Sequence, residues 1–397
     1  MKKIVLSLLG LFVGLLHTFS QTEADTTEYK SRKLKFEEAN LVSGYYHQDG
    51  NNSAVTGGVG SEKLTDFSNT FDLKFTKWDK KNRQHTFTAE LGMDVYTSAS
   101  SDMIDLKANT SASYEDVRIY PSASWSVNNP KNGNTFGANG SFSTEYDYQS
   151  IGGGLSFAKS LNEGNTEFSI KANAYFDTWD VILPTELRTG VTGGRNNPTS
   201  PRNSYSASLT FAQVVTQCFQ FALLADPSYQ SGLLATKYQR VFFNNNAVQS
   251  ENLPDKRWKL PLGVRGSYFV GDNVVLRGLY RFYTDEWGLN AHTANLEAAI
   301  KLSPFLSISP FYRFYTQTAA DYFAPKFGHI PASSFYTSDY DLAKFDSHYF
   351  GAGIKWSPPS GVMGVGAFHT IELRYGHYER NTAVLSSDMI SLNLKFK

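Results

Sequence analysis

Two similar segments of the chain, LYRFYTDEWGLNAHT and FYRFYTQTAADYFAP, concentrate side chains that could bind a solute. Alternate residues of each segment fall on one face of an extended strand, namely Arg281, Tyr283, Asp285 and Trp287 in the first and Arg313, Tyr315 and Gln317 in the second. An arginine stacked on a tyrosine and paired with an aspartate could bind an anionic or sugar-like group. The same residues could instead form a network that rigidifies one end of the protein. We expect the two sets to touch, because both segments should end adjacent strands.

A glycine-rich stretch, SAVTGGVGSE at Ser53–Glu62, has the composition of a phosphate-binding loop. Such a loop needs a helix after it and usually a Lys-Ser/Thr pair, and this sequence offers no helix start there. The motif VTGG recurs at 191–194. The alternatives are a ligand-contacting or gating loop and two unrelated turns; we predict an inward-folded loop for the first copy only. The residues assigned to this loop site are His47, Asp49, Val55, Thr56, Gly57 and Gly58.

Catalytic motifs are missing from the chain. It has eight histidines, and none belongs to an HExxH motif or accompanies a GxSxG motif. His47, Asp49 and Glu62 could hold a metal ion, but no ligand spacing supports that alternative. We therefore predict that the protein is not an enzyme and that it has no catalytic residue, no metal and no cofactor.

Charge and cysteine content exclude other classes of partner. The 397 residues include 37 basic and 37 acidic side chains, so no net charge attracts nucleic acid. The single cysteine, Cys218, excludes an internal disulfide and a cysteine-based zinc cluster.

The first residues, MKKIVLSLLGLFVGLLHTFSQ, have the pattern of a secretory signal peptide. Two lysines precede an apolar run that is shorter than the roughly 20 residues of a membrane-spanning helix. We expect a signal peptide at 1–20, a short periplasmic segment at 21–33 and the folded domain at 34–397. The mature protein should therefore be exported.

Polar and apolar side chains alternate along most of the chain. In QHTFTAELGMDVY, for example, Phe87, Leu91 and Val95 fall on one face, with Glu90 and Asp94 on the other. This period of two is typical of a strand with one apolar face. About 16 such segments begin near Leu34, Leu64, Gln84, Ala112, Asn134, Ser150, Thr166, Ser204, Cys218, Arg257, Asn273, Ala291, Phe305, Ser347, Gly366 and Ser386.

The connections between these segments alternate in length. Short turns such as DKKNR and LNEGN alternate with long loops at 49–63, 99–110, 179–203, 227–256 and 317–346. This pattern is typical of an all-β protein whose strands form a transmembrane antiparallel up-and-down β-barrel of about 16 strands, with long extracellular loops and short periplasmic turns. A soluble β-sandwich or barrel also alternates and is the alternative. The export signal favours the membrane barrel. A closed sheet can cross the membrane because only helices and closed sheets satisfy all backbone hydrogen bonds in hydrocarbon.

If the apolar faces contact lipid, the polar faces line the lumen of the barrel. The first half then contributes Asp72, Glu90, Asp94, Asp116, Glu145, Asp147 and Glu167, and the second half contributes Arg265, Arg277, Arg281, Arg313, Lys355 and Arg374. Opposed acidic and basic walls would favour small polar solutes. These charges could instead pair between neighbouring strands and hold a plugged barrel closed, as Glu297, Lys301, Glu372, Lys74, Lys171 and Arg118 suggest.

Four segments, YYHQDGNNSAVTGGVGSEKLTD, QSGLLATKYQRV, YRFYTDEWGLNAHT and YRFYTQTAADYF, resemble those of an uncharacterised bacterial family, domain of unknown function 3570. The resemblance covers most of the mature chain. It implies an outer-membrane barrel with the glycine loop as a hallmark, and it implies no activity or catalytic residue. Such barrels commonly end in an aromatic residue, whereas here Lys397 follows Phe396.

The expected function is that of a porin-like channel for small polar or charged solutes in the outer membrane of a Gram-negative cell. The alternatives are a plugged barrel that serves as a surface assembly or export partner for another protein, and a barrel-embedded hydrolase. The expected partners are outer-membrane lipid and the barrel-assembly machinery, with no nucleic acid and an unknown protein partner.

Overall fold

The structure, a computed structural model, describes residues 32–97, 116–188, 198–382 and 384–397. Its strands are β1 Lys35–Gly50, β2 Leu64–Trp78, β3 Gln84–Tyr96, β4 Asp116–Asn129, β5 Asn134–Thr144, β6 Tyr148–Leu161, β7 Thr166–Asp180, β8 Thr199–Thr216, β9 Phe219–Ala225, β10 Ser228–Gly232, β11 Arg240–Phe242, β12 Val248–Ser250, β13 Lys256–Val270, β14 Val274–Asp285, β15 Asn290–Ser303, β16 Leu306–Gln317, β17 Phe345–Trp356, β18 Phe368–Arg380 and β19 Leu385–Phe396. Short 3₁₀ helices occupy Ala54–Thr56, Asn162–Gly164, Thr185–Leu187, Tyr340–Leu342 and Val362–Gly364.

These strands close into one antiparallel barrel. Strands β1 to β8 and β13 to β19 pair in chain order, and β19 pairs with β1 from Ala39 opposite Phe396 to Gly50 opposite Leu385. Both β9 and β10 lie between β8 and β13 and form one interrupted strand, broken at 226–227 where a proline stands. The hairpin β11–β12 lies outside this sheet. The barrel therefore has 16 strands, which confirms the predicted all-β fold.

The predicted strand starts agree with the structure to within a few residues. The largest difference is at β8, which begins at Thr199 rather than Ser204. The predicted start at Ala112 lies outside the described residues. The predicted alternation of loop lengths holds only in part. At the end with the long loops, the connections 145–147, 286–289 and 381–384 are short. At the opposite end, the connection 357–367 is longer than the other turns.

The outward faces of the strands are apolar and exposed. Ile151, Leu155 and Leu296 are 63%, 70% and 56% exposed, and aromatic pairs such as Phe136–Phe157 and Phe168–Phe211 join neighbouring strands on this face. A continuous exposed surface of this kind is the lipid-facing surface of a membrane barrel. Among the described residues, no helix has the length and apolarity needed to cross a membrane. The expected signal peptide lies outside the described residues.

Candidate functional site

Small uncharged polar side chains cover the inward face of β4 to β8. This surface, here called the serine wall, includes Ser122, Ser124, Ser141, Ser143, Ser150 and Ser204. It surrounds a recess of about 610 Å³. At its edges the Arg118 Nε donates to the Ser143 hydroxyl at 3.0 Å, and the Arg202 Nε donates to Asp177 at 3.2 Å. Polar groups therefore line the lumen on this side.

The opposite wall, β13 to β18, carries more charges. Glu297 accepts from Arg277 and from Arg374 at 2.7 Å each, and Arg374 also binds Glu372 at 3.3 Å. The Arg374–Glu297 contact reaches from β18 to β15 over the intervening strands. These ion pairs agree with the alternative in which the lumen charges pair between strands of the barrel. Arg265, in contrast, makes no ion pair with any carboxylate of the described residues.

The predicted acidic residues of the first half also have partners. The Tyr120 hydroxyl donates to Asp94 at 2.9 Å, and the Tyr96 hydroxyl donates to Glu145 at 2.5 Å. Acidic and basic side chains occur on both walls, and hydrogen bonds and ion pairs offset several of the individual charges.

Three long loops pack together at one end of the barrel and form a cap, defined as residues 51–63, 233–255 and 318–344. One cluster of the cap consists of Val241, Phe243 and Tyr336, which are 0%, 1% and 8% exposed. A second cluster packs Ala235, Leu253 and Ala320 of the cap against Trp287 of the β14–β15 connection. Because these side chains come from loops far apart in sequence, burying them holds the cap together.

The glycine loop is part of this cap. Its 3₁₀ turn buries Val55, whose carbonyl accepts from Arg240 Nη1 at 2.9 Å. Gly57 and Gly58 have φ of 81° and 80°. A Cβ on Gly57 would stand 2.5 Å from Phe242 Cδ2, and one on Gly58 would stand 2.8 Å from the Ser338 carbonyl oxygen. Both positions therefore require glycine for packing between loops.

The other residues assigned to the loop site have separate surroundings. His47 and Asp49 belong to β1 rather than to a loop, and they share the outward face of exposed Tyr45, which corrects their assignment. His47 Nδ1 lies 2.9 Å from the Thr65 hydroxyl, and Asp49 pairs with Lys63 at 3.2 Å. The Thr56 hydroxyl donates to the carbonyls of its own turn. His47, Asp49 and Glu62 do not converge on one point, and no group of three metal-ligating side chains occurs among the described residues.

The first rim segment forms a tight network around Asp285. This carboxylate pairs with Arg257 of β13 and accepts from the Tyr283 hydroxyl at 2.6 Å and from the Trp287 backbone N–H at 2.9 Å. The Arg257 guanidinium lies 3.9 Å from the Trp287 ring centroid. Arg281 stands apart from this network and approaches Asp226 at 3.7 Å. Asp285 is thus already paired with Arg257, as expected if these residues form a network that rigidifies this end of the protein.

The second rim segment anchors the cap. The Tyr315 hydroxyl donates to Gln317 Oε1 at 2.6 Å, and Gln317 Nε2 donates to the carbonyls of Asp341 and Ala343 at 2.9 and 2.6 Å. Arg313 lies 5.4 Å from the ring of Tyr349.

The expectation that the two rim segments end adjacent strands was wrong. Strand β15, Asn290–Ser303, pairs with both β14 and β16 and separates them. It places Thr293 opposite both Arg281 and Tyr315.

Buried acids lie within the cap. Glu251 is 2% exposed, accepts from the Thr337 hydroxyl and the Thr236 backbone N–H at 2.5 and 2.6 Å, and has its pKa raised to about 8 by burial. Burial also raises the pKa of Asp339, and the nearby Asp341 carboxylate acts in the same direction.

The segment 233–255 extends across the mouth of the barrel. Arg240 donates to the Val55 carbonyl in the β1–β2 loop and pairs with Glu186 in the connection between β7 and β8. Asn252 exchanges two backbone hydrogen bonds with Tyr336 of the β16–β17 loop, at 3.1 and 2.7 Å. One loop of the cap therefore contacts loops that rise from well-separated strands of the barrel.

A protein-family comparison gives this barrel a family. The model of a family described as proteins of unknown function (DUF3570) matches residues 77–386, which extend from the end of β2 into β19. The chain belongs to this family. The family description assigns no activity, so none of the residues above receives a role from it. None of the curated proteins matches the chain.

Solved structures similar to this family member are barrels of low sequence identity. A bacterial polysaccharide outer membrane secretin is 9% identical, with 91% of this chain and 98% of that chain covered and a TM-score of 0.47. A BenF-like porin from Pseudomonas fluorescens Pf-5 is 8% identical, with coverages of 93% and 100% and a TM-score of 0.43. The ferric enterobactin receptor of Pseudomonas aeruginosa is 9% identical, with coverages of 87% and 54% and a TM-score of 0.47.

Sequence reasoning missed several residues that organise this family member's mouth. Arg240 is 4% exposed and binds both Val55 and Glu186, yet no periodic pattern marks it. Glu251 pairs with Thr337, a residue far away in sequence. One available signal was composition, because the stretches SASWS, GANGSFS and SYSAS predict a wall of small polar side chains.

Proposed function

We propose that the protein is an outer-membrane channel for small polar or charged solutes, and that the cap constricts its mouth. The observation that supports this most directly is the contrast between the two faces of the barrel. The outward face exposes large apolar side chains, while the inward face carries serines and ionisable side chains around a recess of about 610 Å³. A barrel of about 16 strands leaves an aqueous channel unless loops fill it, and polar lining is the property that such a channel needs.

A plugged barrel that binds another protein is the second candidate. The buried clusters of the cap favour it, because Val241 and Phe243 are as fully buried as the side chains of a domain core. A cap of this kind could close the lumen and present its outer surface to a partner. The two candidates differ in whether ions pass.

Conductance across planar bilayers distinguishes them. The channel predicts a steady, ohmic current for the purified full-length protein, and the plugged barrel predicts none. Deleting Ser53–Glu62 removes the carbonyl that Arg240 binds, so the deletion should raise the current. As a control, Gly366→Ala changes the 357–367 connection at the opposite end, where a Cβ would meet nothing within 4 Å. Absence of current from both the native and the deleted protein would refute the channel.

A further inference from the structure

The hydroxyl and amide side chains of the serine wall indicate which class of solute could bind there. Its rows continue from strand to strand, with Asn139 opposite Gly154, Ser141 opposite Gly152 and Ser143 opposite Ser150. Hydroxyl and amide groups both donate and accept hydrogen bonds. A wall of such groups can exchange bonds with a ligand that carries many hydroxyls, in place of the water it displaces.

Tyrosine rings of this wall cover glycines on the neighbouring strands. A Cβ at Gly152 would stand 2.4 Å from Tyr175 Cδ1 and 2.5 Å from its Cε1, and one at Gly92 would stand 1.8 Å from Tyr120 Cε2. Each ring therefore occupies the space that a side chain on the neighbouring strand would fill. A ring held against the wall in this way offers an aromatic face to the lumen, and such faces pack against apolar surfaces.

Three of the five charged side chains around the recess have partners within the protein. Two carboxylates, Glu90 and Asp177, and three basic side chains, Arg118, Lys171 and Arg202, line it. Arg202 binds Asp177, and Arg118 lies 5.0 Å from the Tyr120 ring while it donates to Ser143. A charged solute would have to compete with these contacts, whereas a neutral solute would not.

We propose that the serine wall binds a neutral, polyhydroxylated solute of the sugar class. The hydroxyls of the solute exchange hydrogen bonds with the serine and asparagine side chains, and its C–H face lies on Tyr175. The recess of about 610 Å³ is within the range of small-molecule sites, roughly 300–1,000 Å³. This inference rests on the proposed channel function and names the solute of the same lumen.

Calorimetric titration of the full-length protein tests this inference. The protein is kept in a detergent without a sugar headgroup and titrated with maltotriose, with sucrose and with inorganic phosphate. We expect saturable binding of at least one sugar and weaker binding of phosphate. Gly152→Ala should weaken sugar binding about fivefold, because the new methyl displaces the Tyr175 ring and a stacking contact is worth about 1 kcal/mol.

Gly153→Ala is the matched control. Gly153 is the next residue in β6 and faces outward, and a Cβ there would meet only the Asn139 carbonyl oxygen, at 3.4 Å. It should keep native affinity. If Gly152→Ala does not fold, Tyr175→Leu removes the aromatic face without adding volume at the glycine and should give the same loss.

Three results would overturn the proposal: no saturable heat with either sugar, tighter binding of phosphate than of sugar, or equal loss in Gly152→Ala and Gly153→Ala. Conductance separates this failure from that of the channel. An ohmic current without sugar binding refutes the sugar site and leaves the channel standing. Sugar binding without current refutes the channel and leaves the site.

Discussion

Replacing Glu251 by glutamine should remove a pH dependence from the cap. In the closed cap Glu251 is 2% exposed, and burial raises its pKa to about 8 from an ordinary value of 4.5. The groups that face it are the Thr337 hydroxyl, the Asp339 carboxylate and the Lys237 ammonium. If the cap opens and water reaches the side chain, the pKa returns toward its ordinary value.

The direction of the effect follows from this difference. The closed cap binds the proton of Glu251 more tightly than the open cap does, so the closed state is fully stabilised below the ordinary pKa of 4.5 and loses that stabilisation as the pH rises toward 8. Each pH unit in this window is worth about 1.4 kcal/mol. Between about pH 5 and pH 8 the loss is therefore roughly 4 kcal/mol.

Single-channel recording at several pH values measures this change. The ratio of open to closed states of the native protein should rise up to about tenfold per pH unit across the window. Glu251→Gln should reduce the slope of this ratio against pH by the contribution of about one proton. The smaller contributions of Asp339 and Glu62 should remain, because burial also raises their pKa values. Glu163→Gln, in an exposed turn at the opposite end, should behave like the native protein. The same slope in Glu251→Gln and the native protein would refute the reasoning.

Three further substitutions test the cap and the lumen. Arg240→Ala removes the bonds to Val55 and Glu186, so it should destabilise the closed cap by about 1–3 kcal/mol and raise the open fraction in bilayers, whereas an unchanged open fraction would exclude this anchor. Trp287→Ala empties a site that is 3% exposed and should lower the free energy of unfolding by about 3–5 kcal/mol, measured by denaturant titration; a loss below about 1 kcal/mol would mean that the ring is not packed. Arg281→Ala together with Arg313→Ala removes two lumen cations and should shift the reversal potential toward cation preference, and an unchanged potential would exclude a role in selectivity.

The barrel itself could be predicted because each of its strands lies between lipid and water. That boundary imposes a period of two on each strand, and it set the starts of β2, β3, β5 and β7 at the residues found. Differences arose where a strand extends into a polar loop. β8 begins five residues before its predicted start because Thr199–Asn203 pair with Phe176–Asp180 of β7, and nothing in their polarity marks that pairing.

The arrangement of the mouth could not be predicted from the sequence. Alternation assigns a residue to a face, and it correctly placed Tyr283, Asp285 and Arg281 on one side of β14. It does not say which neighbour a carboxylate selects, and Asp285 binds Arg257 rather than Arg281. Contacts within the cap, such as Glu251 with Thr337, join loops with no periodic pattern, so only the three-dimensional packing reveals them.

The seam between β1 and β19 has a consequence for biogenesis. Its hydrogen bonds join the first and last strands, so the ring cannot be sealed while the chain is still being made. Until then both strands present unpaired amide and carbonyl groups, which hydrocarbon does not tolerate. Insertion into the bilayer must therefore coincide with closure of the barrel. A chain that ended before Leu385 would keep two unpaired strand edges and could not insert stably into a membrane.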